Sequence, residues 1–139
     1  MAAGLIASSV QARWQAAMRQ RDLTANEMMM TLSRDVLAST EGSRYATLVH
    51  ALLDPPAGTL RYVNAGHPAP LVIDREGRTM ATLDPTAPAV GLLDAPEFPA
   101  ATGALAPGDT LIVVSDGVTE ARDTTGAEWD PSRLPRLVT

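Results

Sequence analysis

The hydrophobic pattern of the chain changes near residue 45 from a helical period to a period of two. Before that point apolar residues recur three or four positions apart, and after it they alternate with polar residues in short runs. The first pattern covers one face of a helix, and the second covers one face of a strand. The order of helices and then strands predicts an α+β fold, in which helices pack on antiparallel sheets.

Two helices are predicted ahead of this change. The segment 2–21 lacks proline and places apolar residues at helical spacing, namely Leu5, Ile6, Val10, Trp14, Ala17 and Met18. Thr24 with Glu27 three positions later predicts a capping box that starts a second helix, which Gly42 ends. Its apolar face comprises Met29, Leu32, Ser33, Val36 and Leu37. The run Met28, Met29 and Met30 suits either a soft metal or binding groove, or a helical core, and the spacing favours the core.

The rest of the chain predicts a meander of strands separated by turns rich in Pro, Gly and Asp. The predicted strands are 45–53, 59–64, 71–74, 79–83 and 109–115. Residues 54–58 close the first pair as a hairpin, and residues 75–77 close the second. The segment 84–107 is rich in Pro and Ala and predicts a loop, with Phe98 in a short extended piece. We expect both helices to cover the sheet that contains the first hairpin.

Length, charge and cysteine content limit the classes of function. The 139 residues, 45% apolar and 19% charged, predict a single domain over 1–139. The absence of cysteine excludes disulfides, thiolate zinc sites and a cysteine nucleophile. A formal net charge of −5 with scattered arginines disfavours binding to nucleic acid or to an anionic membrane. No apolar run is long enough to span a bilayer and no signal-peptide pattern is visible, so the sequence predicts a cytoplasmic protein.

Few residues are candidates for chemistry. Asp116 and Gly117 follow the most apolar predicted strand, where a carboxylate suits a hard cation, although Asp-Gly is also a common turn dipeptide. His67 lies in Asn-Ala-Gly-His-Pro, which fits either a polar turn or a catalytic or phosphate-contacting histidine. His50 is interpreted as a pleat-facing or edge side chain. Ser115 lacks a nucleophile-elbow pattern, and no glycine-rich phosphate loop is present.

Taken in order, these segments resemble the bacterial PPM-type serine/threonine phosphatases of the SpoIIE/RsbU branch. The most specific motifs are Asn-Ala-Gly-His-Pro at 64–68 and Ser-Asp-Gly-Val-Thr-Glu-Ala at 115–121. The resemblance implies an α/β/β/α sandwich of antiparallel sheets that holds two Mg²⁺ or Mn²⁺ ions. It also implies that these ions activate a water molecule, which attacks phosphoserine or phosphothreonine without a covalent phosphoenzyme.

The resemblance also assigns residues. Asp116 matches the metal-binding aspartate of the family, Gly117 its small neighbour, and Glu120 and His67 are accessory candidates. A carboxylate at a helix N-terminus is a sufficient structural account of Glu120. The family's early Gly-Asp-Val-Ser-Gly-His-Gly segment and its final Asp-Asp-x-Thr stretch have no counterpart in the printed sequence. The resemblance therefore predicts an incomplete domain, truncated at both ends, that binds metal weakly and is inactive by itself.

Two functions are compatible with these observations. The first is a metal-dependent phosphatase that acts on a phosphorylated signalling protein, such as an anti-sigma-factor antagonist. The second is a catalytically silent phosphatase-like module that binds a partner or dimerises. Open sheet edges favour pairing of two copies as a homodimer, most readily along residues 110–114. The number of metal-binding carboxylates distinguishes the two functions.

Overall fold

The computed structural model describes residues 2–18, 24–94, 96–122, 124–127 and 133–135. Its elements are α1 (Ala2–Met18), α2 (Ala25–Thr40), β1 (Leu48–Asp54), β2 (Thr59–Ala65), β3 (Leu71–Ile73), β4 (Thr79–Thr82), β5 (Ala101–Ala104), β6 (Thr110–Ile112) and α3 (Asp116–Thr119). The strands form two sheets, with the orders β1-β2-β5 and β4-β3-β6. The predicted α+β class is confirmed. Across the described part of the chain, no helix combines the length and the apolar character needed to cross a membrane.

The capping box at the start of α2 forms as predicted. The Glu27 backbone N–H donates to the Thr24 hydroxyl oxygen at 3.2 Å, and the Thr24 backbone N–H donates to the Glu27 carboxylate at 2.8 Å. The hydrogen bonds from Thr24 to the carboxylate lower the pKa of Glu27. At the other end Glu41 adopts a left-handed conformation with φ 51°. The predicted first helix is described as far as Met18, and residues 19–21 lie outside the described part.

Contacts divide the chain into two compact units, of which the first comprises Met1–His50, Val63–His67 and Pro85–Ala101. Its core is built by α1 and α2 together with the last part of β2. The buried residues are Val10, Met29, Leu32, Val36, Val63, Ala65, Val90 and Phe98. Met28 is also buried, and Met30 packs against the core, so the core interpretation of the methionines is confirmed.

The strand predicted at 45–53 begins later than expected. Tyr45 is 59% exposed, and Ala46 forms an antiparallel bridge with Val90 instead of continuing β1. The two residues exchange backbone hydrogen bonds of 2.9 and 2.8 Å. Val90 is distant in the sequence and lies in the predicted loop, so the local period could not reveal this partner.

The segment 84–107 contains a strand that the sequence analysis missed. β5 lies beside β2 in the first sheet, although its residues are Ala, Thr, Gly and Ala. A Cβ at Gly103 would lie 3.2 Å from the Leu83 side chain, so the position has room only for a small residue. Phe98 is in no regular strand, but it is fully buried and its N–H donates to the Asn26 side-chain oxygen at 2.8 Å.

The second unit comprises Ala51–Tyr62, Pro68–Asp84 and Thr102–Thr139. It contains the sheet β4-β3-β6, in which β3 pairs antiparallel with both neighbours. The predicted β3–β4 hairpin is confirmed. The simple meander is wrong, because β6 returns to pair with β3 after β5 has joined the other sheet. β6 is also shorter than predicted, and Val113, which follows it, is 50% exposed.

The turn between β3 and β4 is fixed by Asp74. Its carboxylate accepts hydrogen bonds from the backbone N–H groups of Glu76 and Arg78, at 3.0 and 2.8 Å, and from the Arg78 guanidinium. Burial by itself would raise the pKa of Asp74, but these hydrogen bonds and the charge of Arg78 lower it overall. The turn is thus a structural cluster around the largely covered Asp74 side chain, and it explains why a two-strand hairpin was predictable here.

Candidate functional site

Asp116 is the first residue of the short helix α3 rather than the last residue of a strand. Its side chain is exposed, and Oδ1 accepts a hydrogen bond from the Gly117 N–H at 2.8 Å. Within the described residues, Oδ2 accepts no hydrogen bond. The carboxylate is therefore held in place through one oxygen while the other remains available to a ligand.

Gly117 and Glu120 lie beside Asp116 on the same short element. A Cβ at Gly117 would meet only the Ser115 hydroxyl oxygen, at 3.5 Å, which is an ordinary contact. Glu120 is exposed and follows the helix as its C-cap, with its N–H donating to the Asp116 carbonyl at 2.7 Å. The helix-N-terminus account of Glu120 is therefore wrong, because that position is occupied by Asp116.

The described residues around Asp116 do not by themselves form a two-ion centre. In the described ranges, no group of three or more His, Asp or Glu side chains is arranged to hold a metal ion. Hard divalent cations take about six oxygen ligands, some of which are water. The exposed carboxylate of Asp116 fits as a single ligand, but the described residues do not supply the set of carboxylates that the resemblance implies.

His67 lies in the first unit, in a turn that follows β2. Asn64 is completely buried, and its side chain binds the His67 backbone twice. The amide oxygen accepts from the His67 N–H at 2.9 Å, and the amide nitrogen donates to the His67 carbonyl at 3.1 Å. Gly66 has φ +66°, and a Cβ there would lie 3.0 Å from the Ala89 nitrogen. The Asn-Ala-Gly-His-Pro segment therefore forms a tightly specified turn.

Further contacts fix Asn64 itself and the His67 ring. The Asn64 carbonyl accepts hydrogen bonds from the N–H groups of Thr86 and Ala87, at 2.8 and 3.1 Å, and its N–H donates to the Thr86 hydroxyl oxygen at 3.2 Å. Thr47 places its hydroxyl oxygen 3.0 Å from His67 Nδ1. The sequence analysis missed the roles of Thr47, Asn64 and Thr86. Only Asn64 gave a signal, as a polar residue at the end of an apolar strand beside a glycine.

His50 lies on β1, the outer strand of the first sheet, and its ring faces helix α1, as expected for a pleat-facing side chain. Its ring centroid lies 4.8 Å from that of Trp14, with the planes tilted by 58°. Among the described residues, Nε2 of His50 is buried and has no hydrogen-bond partner. Burial therefore lowers the pKa of His50, because a protonated ring would carry an unpaired charge away from water.

The stability of the fold is expected to fall when His50 becomes protonated. The unfolded chain binds this proton with a pKa near 6.5, and the folded chain binds it only at lower pH. Between these two pKa values the unfolded state carries more protons than the folded state, so the free energy of unfolding rises with pH. The stability gained in this way is fully present above the pKa of the unfolded state. An NMR titration of the His50 ring in the folded chain gives the folded pKa directly. A midpoint at or above the unfolded value would contradict the prediction and show that the Trp14 ring stabilises the imidazolium.

Comparison with a solved structure places the fold in a known class. A crystal structure of the RsbU and RsbW domains of Rv1364c from Mycobacterium tuberculosis matches with a TM-score of 0.65 and 27% identity, over 82% of this chain and 32% of that chain. The arrangement of helices and antiparallel sheets is therefore similar to that of an RsbU phosphatase domain.

Sequence comparison identifies the family. The family model described as Stage II sporulation protein E (SpoIIE) matches residues 1–139, and the chain belongs to the SpoIIE family. Protein IcfG of Synechocystis sp. is 34% identical over 110 residues, which cover 78% of this chain and 17% of IcfG. The chain thus spans a small part of the curated relative that it matches. The resemblance read from the two motifs is confirmed.

Proposed function

We propose that residues 1–139 belong to one metal-dependent serine/threonine protein phosphatase domain of the SpoIIE/RsbU type. The observation that carries the proposal is the Asp116 carboxylate. It occupies the family's Ser-Asp-Gly motif, is exposed, and keeps one oxygen without a hydrogen bond in the described part of the chain. Mn²⁺ or Mg²⁺ is the proposed cofactor, with Asp116 as a ligand and Gly117 as its small neighbour. Glu120, one helical turn further on, is the proposed accessory carboxylate.

The proposed substrate is a phosphoserine or phosphothreonine in a signalling protein of the anti-sigma-factor-antagonist type. Support comes from the similarity to a chain that carries RsbU and RsbW domains together. The net charge of −5 fits a protein ligand better than a nucleic acid. We propose a cytoplasmic location on the same grounds, since phosphorylated signalling partners of this kind would be met there.

The substitution Asp116→Asn is expected to abolish Mn²⁺-dependent hydrolysis of p-nitrophenyl phosphate. The amide keeps the shape of the side chain but loses the charge that attracts the cation. The assay compares the two forms of a longer protein that contains residues 1–139 and shows Mn²⁺-dependent turnover. For the printed chain alone we expect no turnover above the buffer rate at millimolar Mn²⁺, because one carboxylate binds a divalent cation weakly.

The matched control is Asp84→Asn, which removes the same charge from another exposed aspartate that makes no hydrogen bond with the described residues. It is expected to leave the rate unchanged. A Mn²⁺-dependent turnover that persists in Asp116→Asn would contradict the assignment of Asp116 as a ligand.

The second candidate is a catalytically silent phosphatase-like module that binds a partner or a second copy of itself. It is favoured because the described residues contain no group of three or more His, Asp or Glu side chains that could hold a metal ion. The two functions differ in the response to Asp116→Asn. A silent module would bind its phosphorylated partner equally well before and after the substitution, whereas a phosphatase would lose metal-dependent turnover.

A further inference from the structure

We propose that His67 donates a hydrogen bond from Nε2 to the phosphoryl group of a phosphate monoester. The proposal rests on the proposed function, which supplies the class of ligand. Its structural basis lies entirely in the first unit, in the turn that follows β2, and it assigns a binding role to a residue for which the sequence alone favoured a polar turn.

The backbone of this turn is held by its own Asn64 and by one distant segment, residues 86–89. The buried Asn64 side chain binds both backbone groups of His67, and Thr86 binds both backbone groups of Asn64. Gly66, with φ +66°, allows the turn to lie close to the backbone of Ala89. The turn and the segment 86–89 together therefore fix the backbone position of residue 67.

The imidazole is fixed separately, by a contact that the turn does not require. Asn64 binds the backbone of His67 and would hold any side chain there, whereas Thr47 contacts only the ring, at Nδ1. A hydroxyl that stabilised the turn would form its hydrogen bond with the backbone of the turn. The Thr47 contact instead sets the direction of the ring and, when the hydroxyl donates to Nδ1, places the neutral ring's proton on Nε2.

The two histidines of the chain differ in what their Nε2 atoms can reach. Nε2 of His50 is buried. His67 is half-exposed, and its Nε2 has no hydrogen-bond partner among the described residues, yet it is not a buried orphan. With the Thr47 hydroxyl donating to Nδ1, His67 would present an oriented N–H donor at Nε2, which is the kind of group that a phosphoryl oxygen accepts from.

The experiment is an NMR titration of both imidazole rings in the folded chain, at constant pH and ionic strength. The probes are O-phospho-L-serine and inorganic phosphate, with sodium chloride as the ionic-strength control. We expect the His67 ring signals to shift and saturate with O-phospho-L-serine while the His50 signals stay in place. A concentration of about 10 mM suffices, because a site with a Kd of about 1 mM would then be mostly occupied.

The variant Thr47→Val keeps the β-branched shape and removes the hydroxyl. It is expected to weaken the apparent affinity by roughly threefold to tenfold, the effect of losing one hydrogen bond that orients the donor. Thr59→Val is the matched control, since Thr59 is exposed and its side chain makes no hydrogen bond with the described residues. It is expected to bind as the unmodified chain does. His50 ring signals at the same positions as in the unmodified chain would show that each variant is folded.

The proposal would be overturned if the His67 signals did not shift at that concentration or shifted equally with chloride. It would also be overturned if Thr47→Val bound with unchanged affinity, or if His67 responded to inorganic phosphate but not to O-phospho-L-serine. The titration is repeated without metal in Asp116→Asn, where we expect the same His67 response. Mn²⁺-dependent turnover that persists in Asp116→Asn would refute the proposed function alone. A missing His67 shift would refute this inference alone.

Discussion

Replacing Gly91 by alanine is expected to lower the free energy of unfolding by about 2–5 kcal/mol, the largest effect predicted for a single substitution. Gly91 has φ +81°, a conformation that costs an L-residue roughly 1–2 kcal/mol. Its new Cβ would lie 2.5 Å from Val36 Cγ1 and 3.4 Å from the Arg44 carbonyl oxygen. Val36 is only 2% exposed in the core of the first unit, so it has little room to move.

Urea unfolding of Gly91→Ala and Gly58→Ala distinguishes the cost of the positive φ angle from the cost of the contact between the new Cβ and Val36. Gly58 also has a positive φ, +60°, but a Cβ there would lie 3.5 Å from the nearest atom, the Leu105 carbonyl oxygen. This control should lose only the backbone contribution, about 1–2 kcal/mol. Equal losses in the two variants would show that the Val36 contact relaxes freely, contrary to the packing described for α2.

Asn64→Ala is expected to cost about 2–4 kcal/mol of unfolding free energy. The substitution leaves the His67 N–H and C=O without their side-chain partners and empties a position that is completely buried. An unsatisfied buried backbone group costs about 1–3 kcal/mol, which sets the scale. We also expect the His67 ring to become mobile, because its backbone is no longer fixed.

The control for Asn64→Ala is Thr86→Val, which removes one acceptor from the Asn64 N–H while keeping nearly the same volume. It should cost about 1 kcal/mol in the same urea experiment. A loss in Asn64→Ala no larger than in Thr86→Val would mean that water replaces the amide without cost, and that the turn is not specified as the hydrogen bonds indicate.

Features that depend on neighbouring residues were predictable from the sequence. The capping box of Thr24 and Glu27 and the hairpin closed beside Asp74 each join groups within four positions of one another. The residue types at those positions define the geometry directly. The burial of Met29 followed for the same reason, since helical spacing alone assigns it to the apolar face.

Features that depend on distant partners were not predictable. Ala46 pairs with Val90, and β5 joins β2 although its Ala-Thr-Gly-Ala sequence lacks the usual strand residues. In both cases tertiary contacts decide the conformation. The two motifs identified His67 and Asp116 separately, but neither identified Thr47, whose contact with the His67 ring requires the folded chain.

Paramagnetic broadening of backbone amide signals by Mn²⁺ maps, residue by residue, where the chain binds the ion. We expect the signals of Ser115, Asp116 and Gly117 to broaden first, Asp116→Asn to remove this effect, and Asp84→Asn to leave it unchanged. Broadening that begins elsewhere in the chain, or that survives in Asp116→Asn, would contradict the assignment of Asp116 as the metal ligand of a phosphatase domain.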